Sequence, residues 1–492
     1  MASPPRRTLF DRVELAIRIA RSIPRMGRAL PVLTCLVLLP AAVRAQDMPA
    51  EQPTVMRAQD MPVKQTLLRH DEDWSVLRNY DPATLPNWAA LKYQPLSVDG
   101  DIWVSTGVEA RLRYEGYHDN WWGSGEAPND DRLWLRLMPH MDVHAGPVRA
   151  FAQGIVGVPL NMEAAPGPAD ETGIDLLQGF GEVTLPIGSA SIRLRGGREL
   201  VSLGTERLVG TRYGPNIPQP FDGAHIIGDV GPLRVQLLSL RPVSTGPDSF
   251  DDRSSDTVSL KGAYVTYQWP NVGLDAYLLD YRNDAAQFNQ GVAAEHRRTY
   301  GVRFFGNADH LSWNWEAMLQ DGRFGQSDIA AWMIGTETSY NLAPLTFRLR
   351  ANIASGDRNP NDPELQTFDP MFPMGKYYGE LSPIGPYNMI NLHPGVDVDV
   401  GHGVTLGFAA MAYWRQSLGD GVYGMPGNLI RASDDSTARF VGHQEEVVLR
   451  WQPSPLHSFL ASYSVFTPGN FIGQTGPAET IHMVGIEAMF RF

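Results

Sequence analysis

From Ile102 to Glu115 the chain alternates. Ile102, Val104, Thr106, Val108, Ala110, Leu112 and Tyr114 take one parity, and Trp103, Ser105, Gly107, Glu109, Arg111, Arg113 and Glu115 the other. Successive side chains on a strand point to opposite faces. The stretch therefore predicts a long strand with one apolar face and one charged face, well beyond the usual length of about 5–6 residues. The order returns where Leu133, Leu135 and Leu137 alternate with Arg132, Trp134 and Arg136. It returns again where Phe347 and Leu349 flank Arg348 and Arg350, before Trp414-Arg415, and where Leu449 and Trp451 flank Arg450. With less regular copies, periodicity alone gives about sixteen strands.

Turn clusters separate them. Ala145-Gly146-Pro147, Pro186-Ile187-Gly188, Val230-Gly231-Pro232 and Leu342-Ala343-Pro344 are short, while 116–130, 159–173, 242–256, 283–296, 357–387 and 417–438 are long. Short and long connections roughly alternate, as in an outer-membrane barrel with tight periplasmic turns and longer extracellular loops. Aromatics gather near strand ends (Trp121-Trp122, Trp269, Tyr277, Tyr281, Trp313, Trp315, Trp414, Trp451), which suits interfacial girdles. A soluble sandwich or β-helix also has many strands, but its outer face does not repeatedly mix Arg with Trp, Gly and acids. The expected fold is all-β: a transmembrane antiparallel β-barrel of about 16–18 strands.

Composition narrows this further. Charged residues make up only 19% of the chain, and Gly (48) and Pro (38) are abundant, which fits many strands joined by turns. Residues 29–43 are apolar but fall short of the about 20 needed for a spanning helix. With Val43-Arg44-Ala45 after them they read as a secretory signal peptide over residues 1–45. Met26-Gly27-Arg28 offers an alternative start. Residues 46–98 are a polar lead-in, an extended tether rather than a domain, and 99–492 is the barrel. The only cysteine is Cys35, so the chain beyond residue 45 has no thiolate and no disulfide. That remainder holds 33 basic and 52 acidic side chains, which excludes nucleic acid as a natural partner. Lysine occurs four times in the chain, so arginine carries nearly all the positive charge. Its planar fork matches carboxylates better than an ammonium does.

Enzymatic signals are thin: no His-Glu-x-x-His, Gly-x-Ser-x-Gly or phosphate loop occurs, and no cofactor is expected. His296-Arg297-Arg298 reads as a lumen or headgroup contact. Asp357 and Asp362, in an Asn-rich loop, offer hard oxygen ligands for Ca²⁺, although an Asx-turn loop is the simpler reading.

Three stretches are more specific. The first runs Gly197-Arg198-Glu199-Leu200, Gly204, Arg207-Leu208, Arg212, Asn216 and Phe221-Asp222-Gly223. The second runs Ala354-Ser355-Gly356-Asp357-Arg358-Asn359-Pro360 through Tyr377-Tyr378-Gly379-Glu380 to Asn391-Leu392-His393-Pro394. The third is Trp414-Arg415-Gln416-Ser417 with Asp420-Gly421-Val422-Tyr423-Gly424. Together, from about Asp71 to Phe492, they resemble the alginate export family of outer-membrane β-barrels. The resemblance implies a monomeric eighteen-stranded barrel in the outer membrane of a Gram-negative bacterium, with an arginine-rich constriction that passes an anionic polysaccharide passively. Glu199 stands where the family pattern leads one to expect Gln, which makes the first stretch mixed in charge.

A uronate polymer carries one carboxylate per sugar, so its pore needs cationic groups that hold each unit weakly. Parity places Arg111, Arg113, Arg132, Arg136, Arg348, Arg350, Arg415 and Arg450 on the lumen face, and the resemblance adds Arg198, Arg207 and Arg212. The constriction is expected among Arg113, Arg136, Arg198, Arg348 and Arg450, with about half the arginines held in structural ion pairs. The alternatives are an uptake porin for small organic anions and a non-conducting surface-binding barrel. Outer-membrane lipid, a periplasmic export scaffold and the barrel assembly machinery, reading the C-terminal Phe492, are the expected partners.

Overall fold

The computed structural model describes residues 56–492; the expected signal peptide lies outside them. Eighteen long strands follow one another around a closed wall. They are β1 (Ile102–His118), β2 (Asp130–Ala145), β3 (Val148–Leu160), β4 (Thr172–Ile187), β5 (Ala190–Leu200) and β6 (Pro220–Val230). Next come β7 (Leu233–Ser244), β8 (Val258–Gln268), β9 (Val272–Phe288), β10 (Gly291–Ala308), β11 (Leu311–Phe324) and β12 (Ser327–Leu342). The wall ends with β13 (Leu345–Ala354), β14 (Met389–Gly401), β15 (Val404–Arg415), β16 (Phe440–Ser454), β17 (His457–Pro468) and β18 (Ile481–Arg491). Each pairs antiparallel with the next, and β18 returns to β1 from Glu109↔Arg491 to His118↔His482. Closure leaves no free edge, the condition for strands to lie in lipid.

The connections fall into two sets. At the rim shared with the start of β1 and the end of β18, every turn is two or three residues long. The opposite rim carries the long loops, so the first rim is periplasmic. Two expectations change. The 283–296 stretch is no loop: β9 and β10 run together to a tight turn at Asn289-Gln290. Trp122, Tyr277 and Tyr281 belong to no outer girdle, since all three are buried in clusters inside the barrel.

The alternation in sequence appears as two surfaces. Leu135, Leu194, Leu278, Val302, Ile334, Leu349, Leu449 and Ile486 are exposed on the outer, lipid-facing parity, with Trp269, Trp315 and Trp451 near the periplasmic end. On the other parity of β1, Glu109, Arg111, Arg113 and Glu115 are each only 2% exposed. Buried charges of that kind survive only when paired. What covers them is the chain itself. The 201–219 and 355–388 connections fold inward, where Val201, Leu208 and Val209 of one pack with Phe368, Met371 and Phe372 of the other against Leu240, Leu260, Tyr281 and Met333 of the wall. Residues 56–98 are not an extended tether. They form short 3-10 turns around Met61, Trp74, Leu77 and Ala89, and Gln94–Pro95 pairs with Val104 and Trp103 of β1.

Candidate functional site in the barrel lumen

The first specific stretch begins at the extracellular end of β5. Gly197 sits at φ 136°, and a Cβ there would collide with the backbone of Gly179 and Phe180 on β4. Only glycine allows both the conformation and the approach. Beyond Leu200 the chain drops into the lumen and is stitched to the 355–388 loop. Val209 bridges Phe372 in parallel, with Phe372 N–H donating to Leu208 O (2.9 Å), Gly210 N–H to Phe372 O (2.9 Å) and Met374 N–H to Glu206 O (2.9 Å).

Most of the expected lumen arginines hold these loops. Arg111 donates to the carbonyls of Tyr213 (3.0 Å), Gly214 (3.0 Å) and Pro215 (2.9 Å). Arg136 reaches Pro215 O and Asn216 O, both at 3.2 Å, pairs with Glu109 at 2.9 Å and lies over the Tyr213 ring. Arg415 does the same for the 416–439 loop through the carbonyls of Leu418, Asp420, Ser436 and Ala438. Arg207 donates to Tyr377 Oη (2.7 Å) and Glu316 (2.8 Å), and Arg212 to Met371 O (3.3 Å). Arg132 stays by Asp130 (3.4 Å) and over the Tyr117 ring.

Arg113 is the centre of a closed charge cluster. It meets Glu115 at 2.6 Å, Glu380 at 2.8 Å and Glu487 at 2.9 Å. Lys376 joins from the 355–388 loop, 2.9 Å from Glu380 and 3.2 Å from Glu115. Burial opposes ionisation of Glu380, yet Lys376 and Arg113 hold its carboxyl down at about 2. With Arg111 also 3.9 Å from Glu487, three cations meet three acids, and the cluster has no net attraction for an anion.

Arg198 requires a correction. It lies opposite Asp222 in the β5–β6 register and forks onto that carboxylate at 2.8 and 3.0 Å. Its parity is that of Leu194 and, on β6, Ile226, both exposed on the outer surface. The odd positions are the ones that enter the lumen here. Glu199 therefore faces inward, with Arg195 at 2.9 Å and His225 at 3.2 Å, and Arg195 also holds Glu182 at 2.7 Å. Arg195 was singled out by no motif, while Arg297, expected with His296 and Arg298 as a lumen or headgroup contact, is buried inside between Glu295 and Gln320. Their strand parity carried the signal.

One open space lies along β12–β16. A cavity of about 350 Å³ is bounded by Arg348, Arg350, His393 and Arg450 from the wall and by Lys376 and Tyr377 from the inward loop. Arg348 is held by Asp397 (2.7 Å) and Arg350 by Glu337 (2.8 Å), and both stay partly open. Arg450 is exposed to the cavity and has no hydrogen-bond or ion-pair partner among the described residues. Of the five arginines expected at a constriction, the fold brings Arg348 and Arg450 together, ties down Arg113 and Arg136, and sends Arg198 outside.

The calcium expectation finds no support in geometry. Asp362 accepts from Glu364 N–H (3.0 Å) and Asp357 from Asn359 N–H (3.3 Å) and the Gln290 amide, the pattern of local turns. Burial pushes the Asp357 carboxyl up to about 6. Neither belongs to a group of three converging ligands; among the described residues that arrangement occurs at Asp175, Asp251 and Asp252.

The alginate export family profile matches residues 102–485. Among solved structures, a BenF-like porin from Pseudomonas fluorescens Pf-5 is similar with a TM-score of 0.56 at 10% identity, over 79% of this chain and 98% of that one. Pseudomonas aeruginosa OccK2 (OpdF), in a complex with glucuronate, gives 0.55 at 11%, over 82% and 98%. OccK8 (OprE) of the same organism gives 0.55 at 12%, over 79% and 98%. No curated protein matches the sequence.

Proposed function

The chain belongs to the alginate export family, and on that premise we propose that this outer-membrane porin passes an acidic polysaccharide, a uronate polymer, passively outward along the β12–β16 wall. The observation that carries this is Arg450, unpaired and exposed to the cavity beside Arg348 and Arg350. A free guanidinium next to two half-neutralised ones offers a carboxylate a bidentate partner. The acids behind them keep the hold weak enough for release.

A second reading, uptake of small organic anions, is favoured by one dimension. About 350 Å³ falls at the low end of small-ligand sites, which span about 300–1,000 Å³, and one neighbour of like fold was solved with glucuronate. Planar-bilayer recordings separate the two. Anion selectivity with block by uronate oligomers, and weak block by the monomer, is the export result; block by monomer alone is the uptake result. Arg450→Ala with Arg348→Ala should cut anion preference several-fold, while Arg198→Ala, on the outer surface, should leave it unchanged. Cation selectivity in the parent would falsify both readings, and absence of current would point to a surface-binding barrel.

A further inference from the structure

The last strand stops early. β18 ends at Arg491, and Phe492 exchanges backbone hydrogen bonds with Val108, so the first part of β1 has no β18 beside it. Gln94–Pro95 takes that place: Gln94 pairs with Val104 and Pro95 with Trp103, and Leu96 N–H donates to Ile102 O (2.7 Å). Upstream of this short ladder the chain turns into the barrel. His70 packs edge-on against Phe151 of β3 and Phe180 of β4, and its carbonyl accepts from Arg149. Leu68 reaches the cluster of Met138, Ile155, Leu177 and Leu200, which also contains Ile217 of the 201–219 loop. A segment that enters from the periplasmic mouth thus meets, inside the lumen, a loop that enters from the other side.

The seating is made of side chains. Arg69 donates to Phe492 O at 2.8 Å and pairs with Glu72 at 3.3 Å, while Glu72 accepts from the Trp74 indole at 2.9 Å. Lys92 Nζ lies 5.4 Å from both the Trp74 and the Phe492 ring, fully buried and without a hydrogen-bond partner. Nothing between residues 56 and 91 joins the strand ladder of the wall. Its departure would break no hydrogen bond between barrel strands.

We infer that residues 56–91 are a releasable plug that closes the β1–β5 side of the lumen at the periplasmic mouth, latched onto the C-terminal Phe492. The plug leaves the β12–β16 cavity alone and is independent of what passes there. The barrel conducts by one narrow side while the plug is seated and by a wider bore once it leaves.

The test uses Phe151→Cys, at a position that His70 covers, in a chain with Cys35→Ser. With the plug seated, a membrane-impermeant maleimide on the periplasmic side should leave the introduced thiol unlabelled. Deletion of 56–91, with 92–98 retained, should expose it and raise single-channel conductance about twofold or more. Where the deletion fails to give a heat-modifiable folded barrel, Arg69→Ala with Trp74→Ala removes the latch alone and carries the same expectation. Labelling at position 151 in the intact chain, or protection that persists in a folded plug variant, overturns the inference whether or not the barrel conducts. So does exposure of that thiol without a change in conductance.

Discussion

Arg113 and Arg450 show how differently one residue type behaves when its surroundings are counted. Arg113 is buried among three carboxylates, and taking away one partner of a buried charge set costs about 3–5 kcal/mol. Arg113→Ala should lower unfolding stability of the refolded barrel in urea by that order, with Arg450→Ala near neutral because it has no partner to abandon. Lys92 gives a pH dependence. Burial, helped by Arg69, brings its ammonium down to about 7, against about 10.4 in an unfolded chain. The groups facing it are Arg69 and Glu72 of the plug, His140 of β2 and the end of the chain at Phe492. Between these values Lys92 holds a proton with the plug unseated that it lacks with the plug seated, so seating strengthens as pH rises from about 7 towards 10; His70 of the plug, brought down to about 4 by burial, strengthens it earlier, from about 4 towards 6.5. Protection of the thiol introduced by Phe151→Cys should follow that course, and Lys92→Met should abolish the part above about pH 7. At this scale parity told which face a strand residue takes, because it is local; Arg198, placed inside by resemblance, and Tyr277 and Tyr281, placed in a girdle by their nearness to strand ends, went the other way. Parity did not tell which arginines were free. That depends on carbonyls of Tyr213, Pro215 and Ser436, which arrive from distant loops.

Strands and short turns were readable because alternation and Gly/Pro clusters act over a few residues. The 283–296 stretch misled because its polar run is not loop-forming: Asn283 stands opposite Glu295 and Arg282 opposite His296 on paired strands, and His296 also meets Asp280. Inward loops were unreadable for the opposite reason. Phe368, Met371, Phe372, Tyr377 and Tyr378 are apolar enough for any core, and their sequence does not say that the core lies inside a barrel. The 355–388 loop narrows the bore with Lys376 and Tyr377. Replacing residues 374–383 by a short Gly-Ser linker should raise conductance while keeping anion preference, since Arg348, Arg350 and Arg450 sit on the wall. A fall in both would mean that the loop, rather than the wall, builds the path.

For the molecule as a whole, an acidic chain buries many of its arginines in the lumen and balances most of those there, while Arg234, Arg282, Arg298 and Arg323 stay exposed. On the function proposed above, its hold on anions rests on a local imbalance near Arg450 and not on net charge. The 201–219 loop ties the first specific stretch to the second through the Val209–Phe372 bridge, which gives a physical reason why the two motifs occur together in one chain. Of the first stretch, Arg207 and Arg212 serve that tie, Glu199 serves the inner wall, and Arg198 braces the outer rim.

The meeting of Arg69 and Lys92 with Phe492 also fixes an order in time. Arg69 and Lys92 seat on Phe492, and Phe492 reaches its place only when β18 has paired with β1. A barrel that has not closed has no latch to offer. The seated segment is in effect a receipt for completed closure, and a chain lacking Phe492 would be left with its wall nearly whole and its mouth ajar.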